Sequence, residues 1–205
     1  MEKNENIIIT KINSEHARKI ATLHIEGIDK GFISSLGFDF VSSLYEVIAQ
    51  DKNSFGFAAL EADNVVGFVA FSGNLSLLYR NVARHNGLKM ALILARRMFS
   101  LQVIKKVIDN LFYPSRMKKL DLPDAELLSI AVSPKARGRG LAALLLRKGL
   151  DECARRGIEK VKVLVAADNE RANRLYSRCG LSLAGKVSSH GVVSNIYVAR
   201  TCSSD

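Results

Sequence analysis

Residues 127–142 (LLSIAVSPKARGRGLA) constrain the fold more than any other part of the sequence. The apolar run up to Val132 predicts a buried strand, and Pro134 ends it because proline lacks the backbone N–H that a strand needs. Two glycines then alternate with two arginines, and the apolar run from Leu141 predicts a helix. A buried strand that turns directly into a helix indicates an α/β or α+β fold, with helices packed on a mixed sheet.

The turn between this strand and this helix fits an anion. Gly138 and Gly140 can adopt backbone dihedrals closed to other residues, and no Cβ separates their amides from a ligand. At the positive end of a helix dipole, such amides would bind a pyrophosphate, and Arg137 and Arg139 would add positive charge. An ordinary glycine-rich turn is the alternative. The segment is not a Walker A loop, and a dinucleotide fingerprint would need glycine in place of Ala143.

A second motif lies about thirty residues further on. Asp168 and Asn169 form a helix N-cap pair before the sequence ERANRLYSRCGL, and Gly180 is the expected C-cap of this helix. Ala172, Tyr176 and Cys179 recur at helical spacing and form one stripe on that helix. Tyr176 in this stripe is either a functional phenol or a core residue, which is the commoner role of a helical tyrosine.

The remaining elements follow from hydrophobic periodicity and turn signals, and together they predict one domain over residues 1–205. The predicted strands are 7–10, 54–62, 65–72, 124–132, 161–166 and 192–199, and the predicted helices are 14–25, 38–49, 140–156 and 169–179. Ser14 is the predicted cap of the first helix, and Asp63-Asn64 the predicted turn of a hairpin.

Basic charge is concentrated in one segment, residues 75–119. The chain carries a net charge of +10, and this segment alone holds ten basic residues and one acidic residue. Apolar residues at helical spacing predict two basic helices joined near residues 99–102, inserted after the third strand. The insert is either a solvated helical face or a docking surface for an anionic substrate or for acidic lipid headgroups.

Composition excludes several classes of protein. Hydrophobic residues make up 48% of the chain and charged residues 24%, which is typical of a globular domain and not of a disordered one. Three cysteines cannot all pair and show no metal-ligand spacing, so we expect a reducing compartment and no metal. The polar N-terminus lacks a signal-peptide pattern, and the longest apolar run is too short to span a membrane. The expected location is the cytoplasm.

The two motifs together resemble the GNAT superfamily of N-acetyltransferases. Arg137-x-x-Gly140-x-Ala142 matches the family's R/Q-x-x-G-x-G/A pattern. The segment from Asn169 to Leu181 matches its N-x-x-A-x-x-x-Y-x-x-x-G-F pattern, with leucine in place of phenylalanine. The resemblance is close over residues 124–183. It implies acetyl-CoA as donor, no metal, and a seven-stranded mixed sheet that splays open between its fourth and fifth strands.

The resemblance also implies residue roles. The pantetheine arm of acetyl-CoA would lie along the fourth strand at Ile130, Ala131 and Val132. The pyrophosphate would bind at Arg137, Gly138, Arg139, Gly140, Leu141 and Ala142. On the helix of the second motif (residues 169–179), Asn169 and Ala172 would contact the pantetheine arm, and Tyr176 would lie beside the sulfur. A phenol is protonated at neutral pH, so Tyr176 can donate its proton to the departing thiolate.

Glu126 is the predicted general base, because several members of the family carry a catalytic glutamate at this place on the fourth strand. Strict alternation places Glu126, Leu128, Ile130 and Val132 on one face, and apolar neighbours would raise the pKa of the carboxyl group. A solvent-exposed glutamate at the end of a strand is the alternative. Other relatives place the base on the fifth strand, where this chain has Leu164. His190 and water-mediated deprotonation stay open.

The expected acceptor is a small-molecule primary amine. The segment HIEGIDKGFISSLGFDF and the basic insert resemble those of family members associated with amino sugars and surface polysaccharides, which suggests an anionic, nucleotide-linked amino sugar. Protein or peptide N-acetylation and non-catalytic sensing of acyl-CoA are the alternatives. A nucleic-acid-binding module ranks last, because the chain has no Trp and no helix-turn-helix signal. A homodimer and peripheral membrane contact through residues 75–119 are further expectations.

Overall fold

The computed structural model describes residues 6–29, 31–84, 87, 122–189 and 192–201. The strands are β1 (Ile7–Lys11), β2 (Ser54–Glu61), β3 (Asn64–Ser72), β4 (Glu126–Val132), β5 (Lys160–Ala166), β6 (Ser182–Ser189) and β7 (Val192–Arg200). The helices are α1 (Ala17–Gly27), α2 (Phe32–Ser35), α3 (Phe38–Gln50), α4 (75–84), α5 (Leu141–Arg155) and α6 (Glu170–Arg178). Short 3-10 turns cover Ser14–His16 and Pro134–Ala136.

The seven strands form one mixed sheet in the order β1-β2-β3-β4-β5-β7-β6. All neighbours run antiparallel except β4 and β5, which are parallel and share a single register pair, Glu126 with Lys162. By contrast, β5 pairs with β7 along its whole length. Beyond their amino-terminal ends, β4 and β5 therefore separate. The predicted splay between the fourth and fifth strands is confirmed.

Helices cover both faces of the sheet, so the chain has two hydrophobic cores. The first core, under α5 and α6, contains Leu141, Leu145 and Tyr176. The second core, under α1 and α3, contains Ile20 and Tyr45. Burial of apolar side chains on both faces accounts for the apolar character of the central strands.

The strand β4 contains a bulge. Ser129 and Leu127 pair with two consecutive residues of β3, so Leu128 between them is an extra residue. An extra residue interrupts the alternation of side chains and leaves a local break in the ladder of hydrogen bonds.

The bulge makes the predicted alternation along β4 wrong. The sequence predicted one face for Glu126, Leu128, Ile130 and Val132. In the structure, Leu127 shares the first core with Ile130 and Val132, whereas Leu128 packs in the second core. Because of the extra residue Leu128, odd-numbered Leu127 faces α5 before the bulge, and even-numbered Ile130 and Val132 face it after the bulge.

Two local predictions are also wrong in detail. Ser14 does not cap the first helix. Asn13 caps the 3-10 turn that precedes α1, in a reciprocal arrangement with His16. The hairpin turn lies one residue earlier than predicted, because Ala62 and Asp63 both adopt positive φ, which suits the twist of the flanking strands. Of the basic insert, residues 75–84 are helical, and its junction near residues 99–102 lies outside the described residues.

Candidate active site

The free edge of β4 forms one wall of the opening between β4 and β5. The Ser133 amide donates to the Val66 carbonyl on β3 at 2.8 Å. Because the edge groups of a strand alternate, the N–H and C=O groups of Ile130 and Val132 point away from β3 and towards the opening. Backbone groups on an unpaired edge can bind an extended chain as a further strand would. Two of the three predicted pantetheine contacts, Ile130 and Val132, therefore lie on this edge.

The glycine turn follows directly from the carboxyl end of β4. Gly138 and Gly140 have φ of +77° and +75°, which is the left-handed region that favours glycine. A Cβ added at either position would meet nothing within 4 Å, so the requirement for glycine is conformational. Gly140 is the N-cap of α5 and offers no side chain to the first amides of that helix. These amides, with the positive end of the helix dipole, face the same end of the sheet as the opening.

Both arginines of the turn have partners in the protein. The Arg139 guanidinium forms an ion pair with Glu61 at the end of β2, with 2.7 Å between Nη1 and Oε1. Arg137 Nε donates to the Val132 carbonyl at 3.1 Å. These two contacts fasten the turn to the ends of β2 and β4. The backbone amides and the helix dipole are consequently the main attractions for an anion here, and the arginines position the turn.

The start of α6 lies at the same end of the sheet, just after β5. Asn169 accepts a hydrogen bond from the Ala172 amide at 3.2 Å, so of the predicted pair Asp168-Asn169 it is Asn169 that caps α6. The Asn173 side chain donates to the Ala166 carbonyl at 3.0 Å and accepts from Asn195 at 2.7 Å and from Tyr197 at 3.1 Å. Asn173 thereby fastens α6 to β5 and β7.

Sequence reasoning missed Asn173. Two of its partners, Asn195 and Tyr197, are more than twenty residues away along the chain, and in the motif it stands at a position that the pattern leaves undefined. No local signal distinguishes it from an exposed helical asparagine.

Tyr176 lies in the first core, 4% exposed, with its ring 5.8 Å from the ring of Tyr197. Burial raises the pKa of Tyr176 well above its ordinary value, so the phenol stays protonated at any physiological pH. Within the described ranges of the chain, the Tyr176 hydroxyl has no hydrogen bond to another side chain. The Tyr197 hydroxyl, by contrast, donates a hydrogen bond to Asn173. Of these two adjacent phenols, Tyr176 is the one able to donate to a bound group.

Glu126 lies where β4 and β5 meet, at the closed end of the opening. Its carboxylate is 3.6 Å from the ammonium group of Lys162, and both side chains are largely buried. The ammonium also donates to the Pro123 carbonyl. Burial, and then the negative charge of Glu126, raise the pKa of Tyr79 on α4. The sequence predicted apolar neighbours for Glu126, and the structure instead gives it a buried cation, which stabilises the ionised carboxylate.

The described parts of the chain show two further absences. They contain no group of three or more His, Cys, Asp or Glu side chains placed to hold a metal ion. No helix within them combines the length and the apolar character needed to cross a bilayer. His190, the alternative base, lies outside the described residues.

The sequence profile of the Acetyltransferase (GNAT) family matches residues 25–181. The chain therefore belongs to this family. A stretch of 76 residues is 34% identical to the mycothiol acetyltransferase of Beutenbergia cavernae, which corresponds to 36% of this chain and 26% of that protein. The chain thus spans about a quarter of the length of the curated relative it matches.

Solved structures share the fold. An N-acetyltransferase from Staphylococcus aureus superimposes with a TM-score of 0.65 at 17% identity, covering 97% of this chain and 100% of the other. NAA60 of Arabidopsis thaliana, solved in complex with acetyl-CoA, superimposes with a TM-score of 0.60 at 16% identity, covering 95% and 98%. At such identities the likeness shows the fold alone.

Proposed function

We propose that the protein transfers an acetyl group from acetyl-CoA to a primary amine by direct attack in a ternary complex. One observation carries the proposal: β4 and β5 part beyond Glu126 and Lys162, and the turn at Gly138 and Gly140 lies at the open end. An extended pantetheine arm fits between the strands, and a pyrophosphate fits at the turn. Membership of the family and the complex of its Arabidopsis neighbour with acetyl-CoA support this donor.

The donor site divides into two parts with different chemistry. The diphosphate would accept hydrogen bonds from the amides of the residues predicted for it (Arg137, Gly138, Arg139, Gly140, Leu141 and Ala142), helped by the dipole of α5. The pantetheine amides would pair with the free edge of β4 at Ile130 and Val132. Ala131, Asn169 and Ala172 complete the predicted set beside the arm. Together these contacts would aim the thioester into the opening.

Tyr176 is the proposed acid. When the amine displaces CoA, the C–S bond breaks and the electron pair remains on sulfur as a thiolate. A protonated phenol beside the sulfur can donate its proton or a hydrogen bond to this thiolate. Replacing Tyr176 by phenylalanine should lower kcat by roughly 100-fold or more, at an unchanged Kd for CoA. The matched control is Tyr197→Phe, which deletes the adjacent phenolic hydroxyl and should leave kcat within about threefold.

Glu126 is the proposed base. Leu127 packs in the first core with Tyr176, so strand alternation directs the adjacent Glu126 to the other face of the sheet, and acid and base would flank the opening. Its carboxylate, 3.6 Å from the Lys162 ammonium group, would take the proton that the attacking amine loses. Glu126→Gln should lower kcat by about 100-fold, with the loss greatest at low pH, where less free amine is present. The Glu126→Gln/Lys162→Met double variant controls for a stranded buried ammonium.

The acceptor proposed is an anionic amine, such as an amino sugar linked to a nucleotide diphosphate. The basic segment supports this choice, because it begins beside Glu126. In α4, Tyr79 faces Glu126, whereas Arg80 and Arg84 are exposed one helical turn apart. Two phosphates on the acceptor would match the excess of basic residues that follows.

Calorimetry and an acceptor panel test the proposal together. We expect the protein to bind CoA with a 1:1 stoichiometry and to release CoA from acetyl-CoA in the presence of nucleotide-linked amino sugars. Neutralising Arg96, Arg97, Lys105 and Lys106 should raise KM for such an acceptor and leave the affinity for acetyl-CoA unchanged. An unchanged KM in that variant contradicts the proposed acceptor. Activity only on peptides would favour protein N-acetylation, and binding without any transfer would favour a sensor.

A further inference from the structure

The helix α6 carries the proposed acid, but apolar packing holds this helix only weakly. It has nine residues, all of them described by the structure, and Tyr176 is the one that is buried. A short helix with one buried side chain has little apolar contact to fix its rotation about its own axis. Because the hydroxyl lies at the far end of the tyrosine side chain, a small rotation of α6 displaces the hydroxyl more than the backbone.

Asn173 supplies polar contacts that fix this rotation. Its Nδ2 atom donates to the Ala166 carbonyl at the end of β5 at 3.0 Å, and to the Asn169 carbonyl at the start of α6 at 2.8 Å. Its Oδ1 atom accepts from Asn195 at 2.7 Å and from Tyr197 at 3.1 Å, both on β7. An amide side chain has two donor hydrogens and one acceptor oxygen with two lone pairs, so Asn173 uses its full capacity here.

Asn195 makes this anchor at a cost in stability. Its Nδ2 atom donates to Asn173, whereas its Oδ1 atom is buried with no hydrogen-bond partner in the parts of the chain that the structure describes. A buried acceptor without a partner costs about 1–3 kcal/mol, and an apolar side chain on β7 would avoid this cost. Buried polar contacts of this kind specify one arrangement of the elements that they join. The contact therefore fixes geometry more than it adds stability.

The same anchor also reaches the ring against which Tyr176 packs. Asn173 and Tyr176 are three residues apart on α6, so their side chains are neighbours on one face of the helix. Tyr197, whose hydroxyl donates to Asn173, places its ring 5.8 Å from the ring of Tyr176. Asn173 thus holds both the helix that carries Tyr176 and the ring beside it, and neither contact involves the Tyr176 hydroxyl.

We propose that Asn173, held by Asn195, is the positioning residue that aims the Tyr176 hydroxyl at the sulfur of the bound donor. The inference rests on the proposed function, because Tyr176 is the proposed acid. Asn173 acts through α6 and does not itself contact the sulfur. Displacing a reacting group by about 1 Å can cost roughly 100-fold in rate, so a contact that fixes this rotation affects catalysis as well as stability.

The thiol of bound coenzyme A reports on this aim without any amine acceptor. Coenzyme A is the product of the transfer, and its thiol lies where the departing thiolate would be. A hydrogen bond from the phenol to the thiolate lowers the pKa of that thiol. The ultraviolet absorbance of the thiolate, followed against pH, measures this pKa. Desulfo-coenzyme A as the reference ligand cancels the absorbance of the protein's own cysteines and tyrosines.

Asn173→Ala should raise the pKa of the bound thiol by about 1, as Tyr176→Phe should, because each removes the same hydrogen bond. In the Tyr176→Phe background, Asn173→Ala should change this pKa by less than about 0.2, since its effect passes through the hydroxyl already deleted. Asn195→Ala leaves the contacts of Asn173 with Ala166 and Asn169, and should raise the pKa by about 0.5. This milder variant decides the question if Asn173→Ala does not fold.

Two controls should leave the pKa of the bound thiol within about 0.2 of the wild-type value. Tyr197→Phe keeps the ring beside Tyr176 and leaves the 2.7 Å bond from Asn195 to Asn173. Val41→Ala removes buried apolar atoms from the second core, so it lowers the melting temperature without touching the anchor of α6.

The possible failures are distinguishable. An unchanged thiol pKa in Asn173→Ala or in Asn195→Ala overturns the positioning role. An equal rise with and without the Tyr176 hydroxyl also overturns it, because the variant would then loosen the site in general. The same thiol pKa in wild-type protein and Tyr176→Phe overturns Tyr176 as the acid, and the inference with it. Wild-type protein that does not bind coenzyme A overturns the proposed function itself before any variant is made.

Discussion

Replacing His24 by glutamine should remove a specific loss of stability in mild acid. In the folded protein, burial lowers the pKa of His24 to about 4, against an ordinary value of 6.5. Below pH 6.5 the unfolded chain therefore binds a proton that the folded chain does not. The free energy of unfolding therefore falls as the pH falls from 6.5 towards 4.

The size of the effect follows from these two pKa values. The full contribution of His24 is about 3 kcal/mol, and at pH 5 about 2 kcal/mol of it has been lost relative to pH 8. This window lies above the range in which most carboxylates titrate, so few other groups contribute. His24 Nδ1 lies 2.7 Å from the hydroxyl of Tyr45 on α3, and His24→Gln keeps an amide that can hydrogen-bond to this hydroxyl and does not titrate.

Urea denaturation at pH 5, 6, 7 and 8, at constant ionic strength, measures the effect. Between pH 8 and pH 5, wild-type protein should lose about 2 kcal/mol more of its free energy of unfolding than His24→Gln. His16 also titrates in this window and is present in both proteins, so its contribution cancels. Parallel curves for the two proteins would show that His24 is not a buried neutral imidazole, and would refute the reasoning.

Three further variants test the fold around the site. Gly140→Ala should lose about 1–2 kcal/mol of stability in thermal or urea unfolding, because alanine is strained at a φ of +75°. The control is Gly185→Ala, where an added Cβ is equally uncrowded but φ is not in the left-handed region; it should change stability by less than about 0.5 kcal/mol. Asn173→Ala should cost about 2–3 kcal/mol by the same measurement, because it leaves several partly buried partners without a hydrogen bond; a neutral result would mean that α6 is held by packing alone. Glu152→Gln should lower the melting temperature at pH 7, and the deficit should shrink as the pH falls from 4.5 towards 2, because hydrogen bonds from Arg155 lower the pKa of Glu152 to about 2; a deficit independent of pH would contradict this.

Local patterns were sufficient to predict the elements that carry the donor site. The left-handed φ of Gly138 and Gly140, and the start of α5 directly after them, follow from glycine spacing and an apolar run. The pair Asp168-Asn169 was predicted to cap α6 from residue type and position, and in the structure Asn169 has that role. Such features depend on a few neighbouring residues, so sequence reasoning reaches them.

Features that depend on distant partners were not predictable. The bulge at Leu128 arises from the pairing of β4 with β3, which lies about sixty residues earlier in the chain. The sequence of β4 alone contains no pattern that predicts it. The buried partner of Glu126 is Lys162, on a strand that becomes its neighbour only through the parallel arrangement of β4 and β5. The buried hydrogen bond between His24 and Tyr45 joins α1 to α3, two helices that are separate in the sequence. In each case, tertiary packing determined which residues meet.

The central claim is that the glycine turn and the free edge of β4 together hold the acyl donor. A crystal structure of the protein with coenzyme A bound tests it most directly. We expect diphosphate oxygens within hydrogen-bond distance of amides in residues 138–142, and the pantetheine arm between β4 and β5 with its sulfur near the Tyr176 hydroxyl. Coenzyme A bound elsewhere on the surface, or a sulfur remote from Tyr176, would contradict it.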